Sequence, residues 1–290
     1  MDLWQEEIQQ LINKKAIEDL TILKSQKKIP MPSKNDIKLL YTHVKAEGDK
    51  AQAILEEKFD FDAWKSLTEC TLILIQIFNR KRAGDIEQLT MDQIANQDAV
   101  GKNISREMFD ELSKPAQQIA KKFVRVSNRG KLGRPVSMLV HSYILPYIDL
   151  IKKYRLQAGV KKTNDYLFGR PTRNPLQIPY FRACPLMRKF SASCGAKVPT
   201  ALRGTPLRKH VATYTAMIGI EDTDVERLAS FMGHHKDIHK NYYQMPVPLA
   251  EMTKVANLLE VAIGVDNEEN ESESSSDEES DDDDKNDENT

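Results

Sequence analysis

A chain of 290 residues whose 42 basic and 43 acidic side chains nearly cancel is long enough to bury a real core, as one large domain or two small ones. The near-zero total hides a segregation. Fourteen acids and one lysine follow residue 265, leaving residues 1–265 with 41 basic against 29 acidic side chains, about +12 with His neutral. Such a body suits a polyanionic partner.

Three cysteines, Cys70, Cys184 and Cys194, offer no CxxC pair, which excludes a metal site of recognisable spacing and fits a reducing compartment. No apolar run follows a basic start, so no signal peptide is expected, and "CTLILIQIF" (70–78) is far short of a membrane span. A soluble intracellular protein is expected.

In chain order, residues 1–57 read as polar helix. Leu3, Ile8, Leu11, Ile12, Ile17 and Leu20 recur at three- and four-residue spacings; "KKIPMPSK" (27–34) interrupts, and a second helix runs from about Asp36 to Glu57. Asp62 is then expected to cap a deeply buried helix through Trp64, Leu67, Leu72 and Phe78. "NRKRAGDIEQL" turns into a short helix. "SREMFDELSKPAQQIAKK" reads as one amphipathic helix to about Lys122. "FVRVSNRGKLGRPVSMLV" reads as a β-hairpin around a basic glycine turn. Helices are expected at about 143–157 and 180–193.

Two clear helices follow. In "TPLRKHVATYTAMIG" Leu207, Val211, Tyr214 and Ile218 form one apolar face, with Pro206 suited to the first turn. In "TDVERLASFMG" Thr223 and Glu226 match a capping box, Val225, Leu228, Ala229 and Met232 make the buried stripe, and Gly233 ends the helix. His234 then stands just past a helix terminus. "PLAEMTKVANLLEVAIG" supplies a last helix. The tail "NEENESESSSDEESDDDDKNDENT" has no aromatic or aliphatic residue and is expected to be disordered. It reads either as a solubilising segment or as a competitor for the basic body. The expected class is α+β, mostly α-helical, with a small antiparallel sheet. The expected division is an N-terminal helical segment at 1–58, a larger domain at 59–262, which the resemblance below makes catalytic, and a disordered acidic tail at 263–290.

Taken in this order, the pieces resemble the catalytic domain of the tyrosine recombinases, the phage-integrase superfamily of DNA breaking-rejoining enzymes. That family carries an arginine in a helix turn, a lysine in a hairpin, an H-x-x-R helix, a G-H and a nucleophilic tyrosine. "NRKRAGDIEQL" matches the first and assigns Arg82; "RGKLGRPVSML" assigns Lys131; "TPLRKHVAT" assigns Arg208; "FMGH" assigns His234. Tyr243 follows nine residues on, with Tyr242 as the alternative nucleophile. "FNRKR", "TPLRKH" and "FMGH…YYQMP" look closest to Crypton-like, transposon-derived recombinases of eukaryotes, which implies a nuclear location.

The resemblance implies attack by Tyr243 on a DNA phosphodiester, a 3′-phosphotyrosine and a released 5′-hydroxyl, with no cofactor and no metal. Arg82 and Arg208 would hold the non-bridging oxygens, since guanidinium forks match them and stay charged. Lys131 would protonate the leaving oxygen, and His234 would donate to the same phosphate. Arg129, Arg134, Thr205 and Lys209 would contact the double-stranded DNA. The final helix, through Leu249, Met252, Val255, Leu258 and Leu259, would dock on a second copy or on its own domain.

Read alone, each residue also has a plainer place: Arg82 paired with Asp85 or Glu87, Lys131 and Arg208 as solvated charges, His234 as a helix cap. One departure stands out. Thr205 occupies the position of the H-x-x-R histidine, and threonine can hydrogen-bond but not move a proton near neutrality. His210 is on the wrong side of the helix to replace it. Two rivals therefore remain: a DNA-binding module of this fold without turnover, and a helical interaction protein with an acidic tail.

Overall fold

The computed structural model describes residues 13–16, 18–19, 30–100, 102, 104–129, 135–174, 176–217 and 221–233. The chain divides into two units, and all of these residues lie in the first, Met1–Met245. Lys131, Arg134, His234, Tyr242, Tyr243, the final helix and the acidic tail lie outside the described residues, as does most of the first expected helix.

The organising element is a helix buried on almost every side. α1 (Lys34–Glu57) begins where Ser33 accepts a hydrogen bond from the Asp36 amide, and packs along α2 (Phe61–Asn79). Residues 71–77 of α2 are all buried, as the apolar run predicts. Its cap is Asp60 rather than Asp62: the Asp60 carboxylate accepts from the Ala63 amide at 2.7 Å, and Asp62 falls in the first turn. Phe78 also departs from expectation. It is 46% exposed and stacks on Phe123.

Polar side chains inside α2 are satisfied locally. Thr68 and Thr71 donate to the carbonyls of Trp64 and Leu67, and the Trp64 indole donates to the Ile151 carbonyl. Gly48 of α1 lets Tyr147 approach so closely that a Cβ there would stand 3.0 Å from its ring.

Around α2 run short elements: α3 (Ala83–Glu87), α4 (Met91–Ala95), α5 (Arg106–Asp110) and α6 (Lys114–Ala120). The sequence reads the last two as one helix. Pro115, which has no amide hydrogen to continue α5, opens α6 instead. Strands β1 (Phe123–Arg129) and β2 (Pro135–His141) form the expected antiparallel hairpin, in register from Phe123↔His141 to Arg129↔Pro135. Val124, Val126, Val136, Met138 and Val140 face the core, alternating with exposed or half-buried residues.

A short turn of 3-10 helix leads into α7 (Leu145–Tyr154), and α8 (Ala183–Ser193), α9 (Gly204–Met217) and α10 (Asp222–Phe231) follow. α7 and α8 pack on α2, so both cover the central helix. Two details of the last helices differ from their patterns. In α9 the buried residues are Leu207, Arg208, Ala212 and Thr213, while Val211 and Tyr214 are only half-buried. In α10 the N-cap is Glu221, so Thr223 lies inside the helix and no capping box forms.

Candidate functional site

The path of the chain out of α2 sets up the site. Asn79 clamps the helix end to the hairpin: its amide donates to the Ile75 and Leu139 carbonyls and its oxygen accepts from the Leu139 amide at 2.8 Å. Arg80 then takes the left-handed conformation, φ 53°, a region that costs an L-residue roughly 1 kcal/mol. The Gln76 side chain, from inside α2, donates to the Lys81 carbonyl at 2.7 Å. This reversal delivers Lys81 and Arg82 to the start of α3, where Arg82 is the N-cap residue.

α3 is braced from two directions. Asn128 of β1 donates to the Asp85 carbonyl at 2.6 Å and accepts from Gln93 of α4. Buried Glu87 takes the Arg182 guanidinium at 2.8 Å on one oxygen and the Ala183 amide at 2.8 Å on the other. It thereby caps α8. With Glu87 so engaged, it is not Arg82's partner, and among the described residues Arg82 makes no ion pair.

Arg82 and Arg208 meet in one cleft of about 380 Å³, walled by α3, α8 and the start of α9. Among the described residues its lining includes Lys81, Arg82, Arg188, Arg203 and Arg208, together with Thr205 and Cys184, and no carboxylate. Five cations around one concavity raise the local potential for anions strongly. Arg208 is 4% exposed and held by α9 beside buried Leu207. Arg203 is tied to α8 by hydrogen bonds from its guanidinium to the Ser191 hydroxyl and the Met187 carbonyl. Burial, then the neighbouring Arg188 charge, pulls its pKa below the ordinary arginine value.

Lys81 is fully buried. Burial pulls its pKa from 10.5 to about 8, with Asp85 opposing the fall and Arg208, Arg125 and Arg82 adding to it.

α10 delivers the other side. It ends at Gly233, φ +70°, where a Cβ would stand 3.6 Å from Arg82 Nη1 and 3.7 Å from Val136 Cγ2. The residue preceding His234 is thus against the Arg82 guanidinium. Phe231, two residues earlier, lies under the Lys81 ammonium at 3.9 Å from the ring centroid.

Of the residues singled out from sequence, the cleft brings together Arg82, Arg208 and Thr205, the last exposed at its edge. Lys209 is half-buried on α9 outside the lining, and Arg129 ends β1. His210 stacks on Tyr214, and its pKa is lowered by burial and then by Arg80 and Lys34; it does not line the cleft. Sequence reasoning missed Lys81, Arg188 and Arg203. Lys81 and Arg203 are each within five residues of an assigned arginine, which was the only signal available. Among the described residues there is no cluster of His, Cys, Asp or Glu able to hold a metal, and no helix long and apolar enough to cross a membrane.

No protein-family model matches the sequence, and no curated protein matches it significantly. Its structure is similar to that of the XerH site-specific recombinase in a post-cleavage complex with palindromic difH substrate. That match has TM-score 0.50 and 13% identity, over 81% of this chain and 54% of that one. A pre-cleavage complex of XerH on difH aligns at TM-score 0.47 and 13% identity, over 80% of this chain and 55% of that one. The chain spans about half the length of these recombinases. The mostly helical body with its two-stranded sheet has the fold of a tyrosine recombinase catalytic domain.

Proposed function

We propose that this protein binds double-stranded DNA in the cationic cleft and breaks and rejoins a strand there through a 3′-phosphotyrosine at Tyr243. The observation that carries the reading is the meeting of Arg82 and Arg208 in one cleft whose described lining is cationic, with Gly233, which precedes His234, laid against Arg82. Two guanidiniums on one concavity suit the two non-bridging oxygens of a phosphodiester, whose charge grows in the transition state. Tyr243 attacks phosphorus as the phenolate, favoured by the surrounding cations. The bond to the 5′-oxygen breaks, and Lys131 supplies the proton that makes it a hydroxyl. Attack by a 5′-hydroxyl on the phosphotyrosine reverses these steps and releases the tyrosine. The bond energy is conserved in the adduct, so no cofactor is consumed.

The reading extends to a transposon-derived, Crypton-like origin, action in the nucleus, and self-association through the final helix. The origin and location rest on the motif flavour, and self-association on the helix's apolar residues.

One observation favours a second reading, a DNA-binding module without turnover. Thr205, exposed at the cleft, cannot relay a proton as the family's histidine does. A pool of random-sequence duplexes, nicked so that the 5′-hydroxyl fragment diffuses away, separates the two. Strand cleavage leaves a denaturation-resistant protein–DNA adduct that Tyr243→Phe abolishes. Salt-sensitive binding without any adduct assigns the module instead, and no binding at all leaves the interaction protein.

A further inference from the structure

Lys81 has a feature that nothing in its own surroundings explains. Its side chain is 0% exposed, and among the described residues its ammonium has no hydrogen-bond acceptor. An ammonium carries three donors, and burying them without an acceptor is costly. The groups facing it account for little of that cost. Arg82, from the same loop, Arg208 of α9 and Arg125 of β1 repel it; among the described residues Asp85 of α3 attracts it without forming an ion pair. Phe231 of α10 offers the face of its ring. A buried cation in this position is therefore set up for an anion that arrives from outside. Lys81 lines the cleft in which Arg82 and Arg208 meet, so an anion held in the cleft is reached when the ammonium swings off the Phe231 ring toward it.

We propose that the Lys81 ammonium is a third cationic contact to the phosphate bound between Arg82 and Arg208, an inference that rests on the DNA reading above. The assignment gives Lys81 a role separate from that of Lys131: it binds the phosphate group, and it need not transfer a proton. It also couples binding to protonation. A phosphate beside the ammonium raises its pKa from the free-protein value of about 8. Complex formation then takes up a proton above that pH, and affinity falls as pH rises through the interval. Cys184 lines the same cleft, so its thiol is replaced throughout by running the experiment in a Cys184→Ser background.

Binding of a fluorescent duplex is followed by anisotropy at fixed ionic strength from pH 6.5 to 9.5, and at pH 7 against salt. With Lys81 intact, affinity is expected to be flat to about pH 8 and then to fall by up to tenfold per pH unit. Lys81→Met is expected to weaken binding about tenfold at pH 7, to lower the salt slope by about one and to remove the pH dependence. Lys81→Arg, charged at every pH used, is expected to bind with a flat profile. Salt-sensitive binding whose slope and pH profile are the same in Lys81→Met overturns the Lys81 contact and leaves the DNA reading standing. A parent protein that binds no duplex overturns both. Should Lys81→Met fail to fold, the parent's own profile decides: no fall above pH 8 refutes the contact.

Discussion

Replacing Lys81 by methionine should make the protein more stable while making it a poorer DNA binder. The lysine is fully buried, and its pKa falls from 10.5 to about 8 on folding. At 1.36 kcal/mol per unit, a drop of this size costs the folded state about 3 kcal/mol at pH 7. Methionine has a similar length, no charge and no unmet donors. It forfeits the ammonium's contact with the Phe231 ring, worth ~1 kcal/mol. The net gain at pH 7 is about 2 kcal/mol, or roughly 4–8 °C in Tm for a domain of this size.

The pH dependence fixes the cause. Below pH 8 the lysine is protonated in both folded and unfolded chains, and the penalty is at its full value. Between pH 8 and 10.5 the folded form gives up its proton first, so the penalty shrinks and the parent protein gains on the variant. Urea unfolding at pH 7 and pH 10 measures both ends, and by pH 10 the advantage of Lys81→Met should drop below about 1 kcal/mol. A variant that is no more stable than the parent at pH 7, or whose advantage is the same at both pH values, refutes the view of Lys81 as an uncompensated buried charge.

Two further substitutions probe how the cleft is held. Glu87→Ala removes the acceptor shared by Arg182 and the Ala183 amide; because Arg182 can return to water, the loss should be about 2–3 kcal/mol by chemical denaturation. Gly233→Ala places a Cβ at φ +70°, 3.6 Å from Arg82 Nη1. It should cost only about 1 kcal/mol of stability. Urea unfolding measures that cost; because 3.6 Å is an ordinary contact that leaves Arg82 in place, adduct formation on the nicked pool should be little changed at a temperature where the variant is fully folded.

What the sequence made legible follows from which forces act locally. The apolar run of α2, the hairpin's alternation and the glycine closing α10 are each set by neighbours in the chain, and each is where it was expected. Boundaries were less secure because they turn on single hydrogen bonds. Asp62 was the expected cap, yet it is Asp60, two residues earlier, whose carboxylate accepts from the Ala63 amide. The buried face of α9 is rotated toward Arg208 because the cleft, not the apolar stripe alone, decides which residues are enclosed. Motif order pointed to Arg82 and Arg208 but was blind to Lys81 and Arg203. Their importance comes from burial and from α8, which packs against this region from far along the chain.

The central claim is that the Arg82 and Arg208 guanidiniums are there to neutralise the charge of one phosphodiester. The direct test uses a duplex recovered from the nicked pool and a second copy with a neutral methylphosphonate at the scissile position. Arg82, half-buried at the loop, is the residue to remove. Arg82→Ala should cleave the ordinary phosphodiester about 100-fold more slowly than the parent. On the methylphosphonate, which carries no charge to neutralise, it should recover to within about tenfold of the parent. A variant that is equally impaired on both substrates would show that Arg82 does not act on the phosphate's charge.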